Sequence, residues 1–162
     1  MRAISRWKRI LGIGLAAGIL TLVTATSVPV QASSILDKVT SEETTESFAE
    51  DTSYSLLKSN NLNYGSLKVQ KISSNEIGIY GLTQCHHACD TVYLSIYLER
   101  KVNGNYGTYK YWEFTANDVT SLSRGIKVIV PSGTYYRARG YHAAKDGSKE
   151  STTTLTQGIM IK

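Results

Sequence analysis

Cys85-His86-His87-Ala88-Cys89-Asp90 concentrates more reactive side chains than any other stretch of the chain. Two thiolates and two imidazoles are the ligand types of a tetrahedral zinc site. The spacing opposes it, since adjacent histidines rarely both reach one ion with cysteines so close on either side. In an oxidising compartment, two cysteines four apart in a loop between strands form a small disulfide more readily. A Cys85–Cys89 bridge is therefore the expectation, with free thiols and a metal site as the alternatives. Such a bridge closes a short loop and stabilises by only about 2 kcal/mol. A cysteine nucleophile is a poorer reading still, because a second cysteine at that distance would oxidise it.

His142 and Glu150 form the other chemically suggestive pair, a carboxylate able to orient an imidazole for base catalysis. No Gly-x-Ser-x-Gly elbow accompanies them, and the alternation places His142 on the same face as Tyr136 and Ala138. A hydrogen-bonded structural histidine near one end of the fold is the expectation. Paired carboxylates for glycoside hydrolysis would need two acids facing one cleft. The candidates (Glu76, Asp90, Glu99, Glu113, Asp118, Asp146 and Glu150) fall mostly at turns or on outward positions. A Gly-rich phosphate loop is absent from the sequence. The reading is non-catalytic, with no cofactor and no metal expected.

The elements that position these residues begin after a leader. Arg2, Arg6, Lys8 and Arg9 precede a 14-residue apolar run, Ile10–Val23, and a polar stretch ends at Val30-Gln31-Ala32 with small residues at the proposed cut. This is the layout of a secretory signal peptide over residues 1–32, and it predicts a secreted, extracellular protein. The later chain has no run of about 18 apolar residues, so no stable membrane insertion is expected once the leader is removed. The leader holds four basic and no acidic residues, so the precursor's 18 basic against 13 acidic become 14 against 13. A nucleic-acid partner suggested by the overall charge is thereby excluded. Residues 33–63 are acidic, rich in Ser and Thr and poor in large apolar side chains, which predicts a flexible arm.

From about residue 64 the hydrophobic pattern has period two, the signature of strands. Short strands are predicted around Leu67–Ile72 and Ile77–Ile79. The clearest is Thr91–Lys101, where Val92, Leu94, Ile96 and Leu98 alternate with Tyr93, Ser95, Tyr97 and Glu99. Asn103-Gly104 is a hairpin signal, with Tyr106–Thr115 returning. Ile126–Val130, Tyr135–His142 and Thr153–Ile161 complete about seven short strands, which predicts an all-β antiparallel sandwich over residues 64–162. Val92, Leu94, Ile96, Leu98, Trp112 and Tyr136 are its expected core.

Pro131-Ser132-Gly133-Thr134-Tyr135-Tyr136-Arg137-Ala138-Arg139-Gly140 resembles strand F of fibronectin type III and other immunoglobulin-like domains. The resemblance implies a tyrosine corner at Tyr136, its hydroxyl bonded to nearby backbone. Ala143–Ser151 resembles the turn into strand G. More widely, residues 62–162 resemble a family of small secreted Gram-positive bacterial proteins carrying a domain of unknown function. The likeness lies in Cys89-Asp90, Tyr97-Leu98-Glu99-Arg100, Asn103-Gly104, Tyr135-Tyr136-Arg137, Gly140-x-His142 and Glu150-Ser151. It implies fold and secretion and no activity. Under immunoglobulin-like topology, the outward residues Tyr93, Tyr97, Tyr109, Tyr111, Tyr135, Arg137, Arg139 and Tyr141 gather on one sheet face. Tyr and Arg are enriched at binding hot spots, so this face is the candidate ligand site, for a cell-surface glycan, an anionic wall polymer or a surface protein. The alternatives are a bacteriocin-like or toxin-like effector and a small hydrolase using His142 and Glu150.

Overall fold

Asn103 and Gly104 both take positive φ, 51° and 84°, in the computed structural model, which describes residues 43–55 and 59–162. That geometry matches the twist of the strands it joins, and here it joins two very long ones. In chain order the strands are β1 (Glu43–Thr44), β2 (Phe48–Tyr54), β3 (Leu62–Ser73), β4 (Glu76–Val102), β5 (Asn105–Ile129), β6 (Thr134–Asp146), β7 (Ser148–Leu155) and β8 (Gly158–Ile161). The predicted leader, and residues 33–42 of the predicted arm, lie outside the described residues.

The sheet is all-β as expected, but its connectivity is not that of separate short strands. β4 pairs along its whole length with β5 on one edge. On its other edge, the first half of β4 pairs with β3 and the second half with β6. Between the halves the register shifts, so that Cys85–Ala88 stand against Thr120 alone. Such a bulge bends the bulged strand and sharpens its twist. The stretch that the sequence suggests is a loop is therefore a corner inside a continuous strand. Gln84 braces it, its amide donating to the carbonyls of Cys85 (2.9 Å) and Thr120 (3.0 Å).

Bent at this corner, the sheet folds back on itself. One layer holds β2, β3 and the near halves of β4 and β5; the other holds their far halves with β6, β7, β8 and β1. The layers meet closely: a Cβ on Gly65 of β3 would lie 2.2 Å from the His142 ring of β6, and one on Gly81 would lie 2.8 Å from Ile96. On the side away from β5, β2 reaches β7. Ser53 and Thr152 share a hydroxyl hydrogen bond of 2.7 Å, and Asp51 Oδ2 accepts the Leu155 N–H at 2.8 Å. The result is a sandwich close to a barrel.

Leu67, Val69, Ile77 and Ile79 from one layer meet Val92, Leu94, Ile96, Leu98, Tyr136 and Ile159 from the other, all buried. Trp112, on the edge strand β5, is only half-buried and packs against this core from its margin. The flexible-arm expectation is corrected over residues 43–54. β2 pairs residue for residue with β3, from Phe48↔Gln70 to Tyr54↔Tyr64, and buries Ala49. Its inward set is Ala49, Asp51 and Ser53, too small and polar to register as a hydrophobic alternation. The backbone ladder and the Asp51 and Ser53 bonds hold it in place.

Tyr136 is fully buried and its hydroxyl donates to the Pro131 carbonyl at 2.8 Å, the local bond that the resemblance implied. Tyr136→Phe keeps the ring and strands that bond. Chemical denaturation should show a loss of about 1 kcal/mol with an unchanged far-UV spectrum, and an unshifted midpoint would contradict this role.

Candidate functional site

Alternation along β4 turns Tyr93, Ser95, Tyr97 and Glu99 outward, because Val92, Leu94, Ile96 and Leu98 fill the core. Register then sets their neighbours. Tyr97 lies between Tyr111 of β5 and Arg139 of β6, and Glu99 lies opposite Arg137. The Tyr97 and Tyr111 rings stack with centroids 6.0 Å apart. The Arg139 guanidinium sits 4.2 Å from the centre of the Tyr97 ring, and that of Arg137 sits 4.1 Å from Tyr106. These separations fall within cation–π range.

Glu99 anchors the array. Its carboxylate is almost fully covered and accepts from Arg137 Nε at 2.7 Å and Arg139 Nε at 2.9 Å. A covered carboxylate needs charged donors to offset its desolvation, and here one carboxylate fixes two guanidiniums flat over two rings. Beside them, Lys149 Nζ lies 4.2 Å from the Tyr93 ring centre and 5.6 Å from that of Tyr141. Tyr93, Ser95, Tyr97, Glu113, Tyr141 and Lys149 bound a shallow groove of about 550 Å³. Seven of the eight expected face residues (Tyr93, Tyr97, Tyr111, Tyr135, Arg137, Arg139 and Tyr141) thus lie on the outward side.

Tyr109 is the exception. The β4–β5 register slips between Leu98↔Lys110 and Glu99↔Thr108, which leaves Tyr109 unpaired in a bulge. Its ring turns to the inner side and meets Tyr136 edge-on at 6.0 Å. One extra residue reverses the alternation beyond it, so the period-two pattern misplaced this side chain. Tyr106, Glu99 and Lys149 belong to the outward array and were absent from the expected set. Tyr106 faces outward opposite Lys101, a position legible only once the bulge is counted.

The reactive cluster is divided by its own strand. Cys85 and Cys89 point into the core as free thiols, while His86 and His87 are exposed. The two thiols of this strand corner lie within hydrogen-bond reach of each other. Burial, reinforced by the hydrogen bond that its S–H donates to Cys89, pushes the Cys85 thiol up to about 12. His87 Nε2 meets Asp146 Oδ2 at 2.9 Å on the surface, so thiols and imidazoles do not converge on one point.

His142 and Glu150 also serve different partners. Burial pushes the Glu150 carboxyl up, but the Ser59 hydroxyl and the N–H groups of Leu62, Asn60 and Asn61 together hold it down at about 2. The chain entering β3 is tied to β7 through this carboxylate. His142 is fully buried between the layers, with Nδ1 3.1 Å from Thr83 Oγ1 and Nε2 2.9 Å from Thr154 Oγ1. The Thr83 hydroxyl donates to the Tyr93 carbonyl, so its oxygen accepts from Nδ1–H and Nε2 accepts from Thr154. Burial drives the imidazole down to about 4, against a small upward pull from the Leu82 carbonyl.

That environment defines the class: an all-β sandwich formed from one bent sheet, with an ordered Tyr/Arg array outside and a neutral histidine inside. The chain belongs to the family of unknown function DUF6147, whose model matches residues 35–159. The matched span includes β1 and β2, which the sequence reading had placed in the arm. No curated protein matches the chain in sequence. Among solved structures, chicken MD-1, crystallised in complex with lipid IVa, is similar at 13% identity and a TM-score of 0.28, over 65% of this chain and 94% of that one.

The histidine carries a pH prediction. Its folded value of about 4 lies below the ordinary histidine value of 6.5, so the unfolded chain takes up more protons between these limits. Stability should therefore fall as pH drops, by about 2–3 kcal/mol between pH 6.5 and 4.5. Urea unfolding across that window should show the slope in the native protein and a flatter profile in His142→Gln. Parallel profiles would contradict a neutral, buried imidazole.

Proposed function

We propose that this is a secreted, non-catalytic binding protein that holds a surface glycan on the Tyr/Arg face. One observation carries the reading: Glu99 locks Arg137 and Arg139 flat against Tyr97 and Tyr106, so the aromatic face is ordered before any ligand arrives. Pre-ordering reduces the entropy that binding must overcome. Tyr rings offer apolar faces with polar tips, suited to the flat, hydroxyl-edged rings of sugars. Within the groove, Glu113 accepts from hydroxyls and Lys149 donates to them.

A neutral glycan fits this face better than an anionic polymer, because Glu99 offsets much of the arginine charge. A protein partner uses the same residue types and is separated by experiment. The Tyr136 corner supports kinship with immunoglobulin-like and fibronectin type III sandwiches, although the shared β4–β5 hairpin sets this sheet apart.

Purified protein should bind an array of neutral wall and surface oligosaccharides, and the double variant Tyr97→Ala, Arg139→Ala should bind about tenfold or more weakly. A matched far-UV spectrum would confirm that the variant is folded. Equal binding by variant and wild type would overturn the assignment of this face.

A further inference from the structure

Tyr109 turned inward leaves a different set of residues together at the hairpin end of the sandwich. Arg100, Asn105, Gly107, Thr108 and Tyr109 border an open pocket of about 380 Å³, within the size range of small-ligand sites. The Arg100 Nε is buried and has no hydrogen-bond partner. No carboxylate among the described residues lies within ion-pair distance of this guanidinium, in contrast to Arg137 and Arg139. A covered charged donor without an acceptor is costly, and native structures rarely keep one unless an ion, a water or a ligand meets it.

The rim indicates which acceptor. Asn105, paired with Val102 on the same side as Arg100, brings an amide, and Gly107 has nothing within 4 Å of where a Cβ would stand, so a ligand can approach its backbone. Beyond the rim, Lys110 Nζ lies 5.6 Å from the Tyr109 ring centre and adds positive charge nearby. Donors arriving from several directions suit a tetrahedral oxyanion, and the guanidinium fork suits phosphate in particular. The Tyr109 ring would cover whatever carbon skeleton the phosphate carries.

We propose that this pocket is a second binding site, specific for the phosphate group of a phosphorylated polyol or sugar, and that Arg100 is its principal contact. It borders Tyr106 of the outward array but shares no lining residue with the Tyr97 groove, and it stands or falls independently of that groove.

Glycerol 2-phosphate is a suitable probe, titrated calorimetrically against wild type, Arg100→Gln, Asn105→Ala and Tyr97→Ala at constant ionic strength set with sodium chloride. Wild type and Tyr97→Ala should bind alike. Arg100→Gln should bind about tenfold more weakly, and Asn105→Ala should show a smaller loss if the arginine variant does not fold. Acetate at the same concentration should bind less well than the phosphate. Absence of binding to wild type, wild-type affinity in both Arg100→Gln and Asn105→Ala, or acetate matching the phosphate would each overturn the assignment.

Discussion

The corner at Cys85–Ala88 is the constraint on which the rest of the molecule depends. Because β4 and β5 remain paired on both sides of it, the two layers share strands instead of being joined by loops. Opening one layer therefore strains the other. The corner also explains why Cys85 and Cys89 are buried while the histidines between them face water. A bulge that gives four residues to one strand against one on its partner turns the chain, and its apolar ends face the inside of the turn.

From this constraint follow the two buried polar groups that set the layers' separation and the outer face. His142 occupies the narrow gap beside Gly65 and Gly140, where any side chain on either glycine would collide with it or with Thr154. Its hydrogen bonds to Thr83 and Thr154 keep a polar ring tolerable in a dry interior. Glu99 plays the equivalent part at the outer surface, where its pairing orients Arg137 and Arg139. Glu99 sits on β4 and His142 on β6, paired directly with β4, so the proposed face and the core are ordered through the same strand.

Much of the fold was legible because large apolar residues alternate strictly. Val92, Leu94, Ile96 and Leu98 place one face of β4 in the core without further information. Tyr136 was legible for another reason, a local turn motif with its own hydrogen bond. What escaped were features in which polar or small residues carry the structure. The Ala49-Asp51-Ser53 face of β2 gives no hydrophobic signal, and the Cys85–Asp90 stretch looks like a loop when continuity depends on a partner strand. In the site, the outward orientation of seven face residues followed from alternation within each strand, and their meeting on one face from the immunoglobulin-like resemblance. Tyr109 and Tyr106 did not, because a one-residue bulge leaves no mark in a single strand's composition. The Glu99 pairing with two arginines depends on cross-strand register, which no single segment encodes.

The most direct test of the shared-strand account is native-state hydrogen exchange along β4 at low denaturant. If one bent strand unites both layers, the protected amides of Ile77–Leu82 and Val92–Leu98 exchange through a single opening with a common free energy and denaturant dependence. Two separate opening energies, one for each half of β4, would show that the layers unfold independently and would contradict the account.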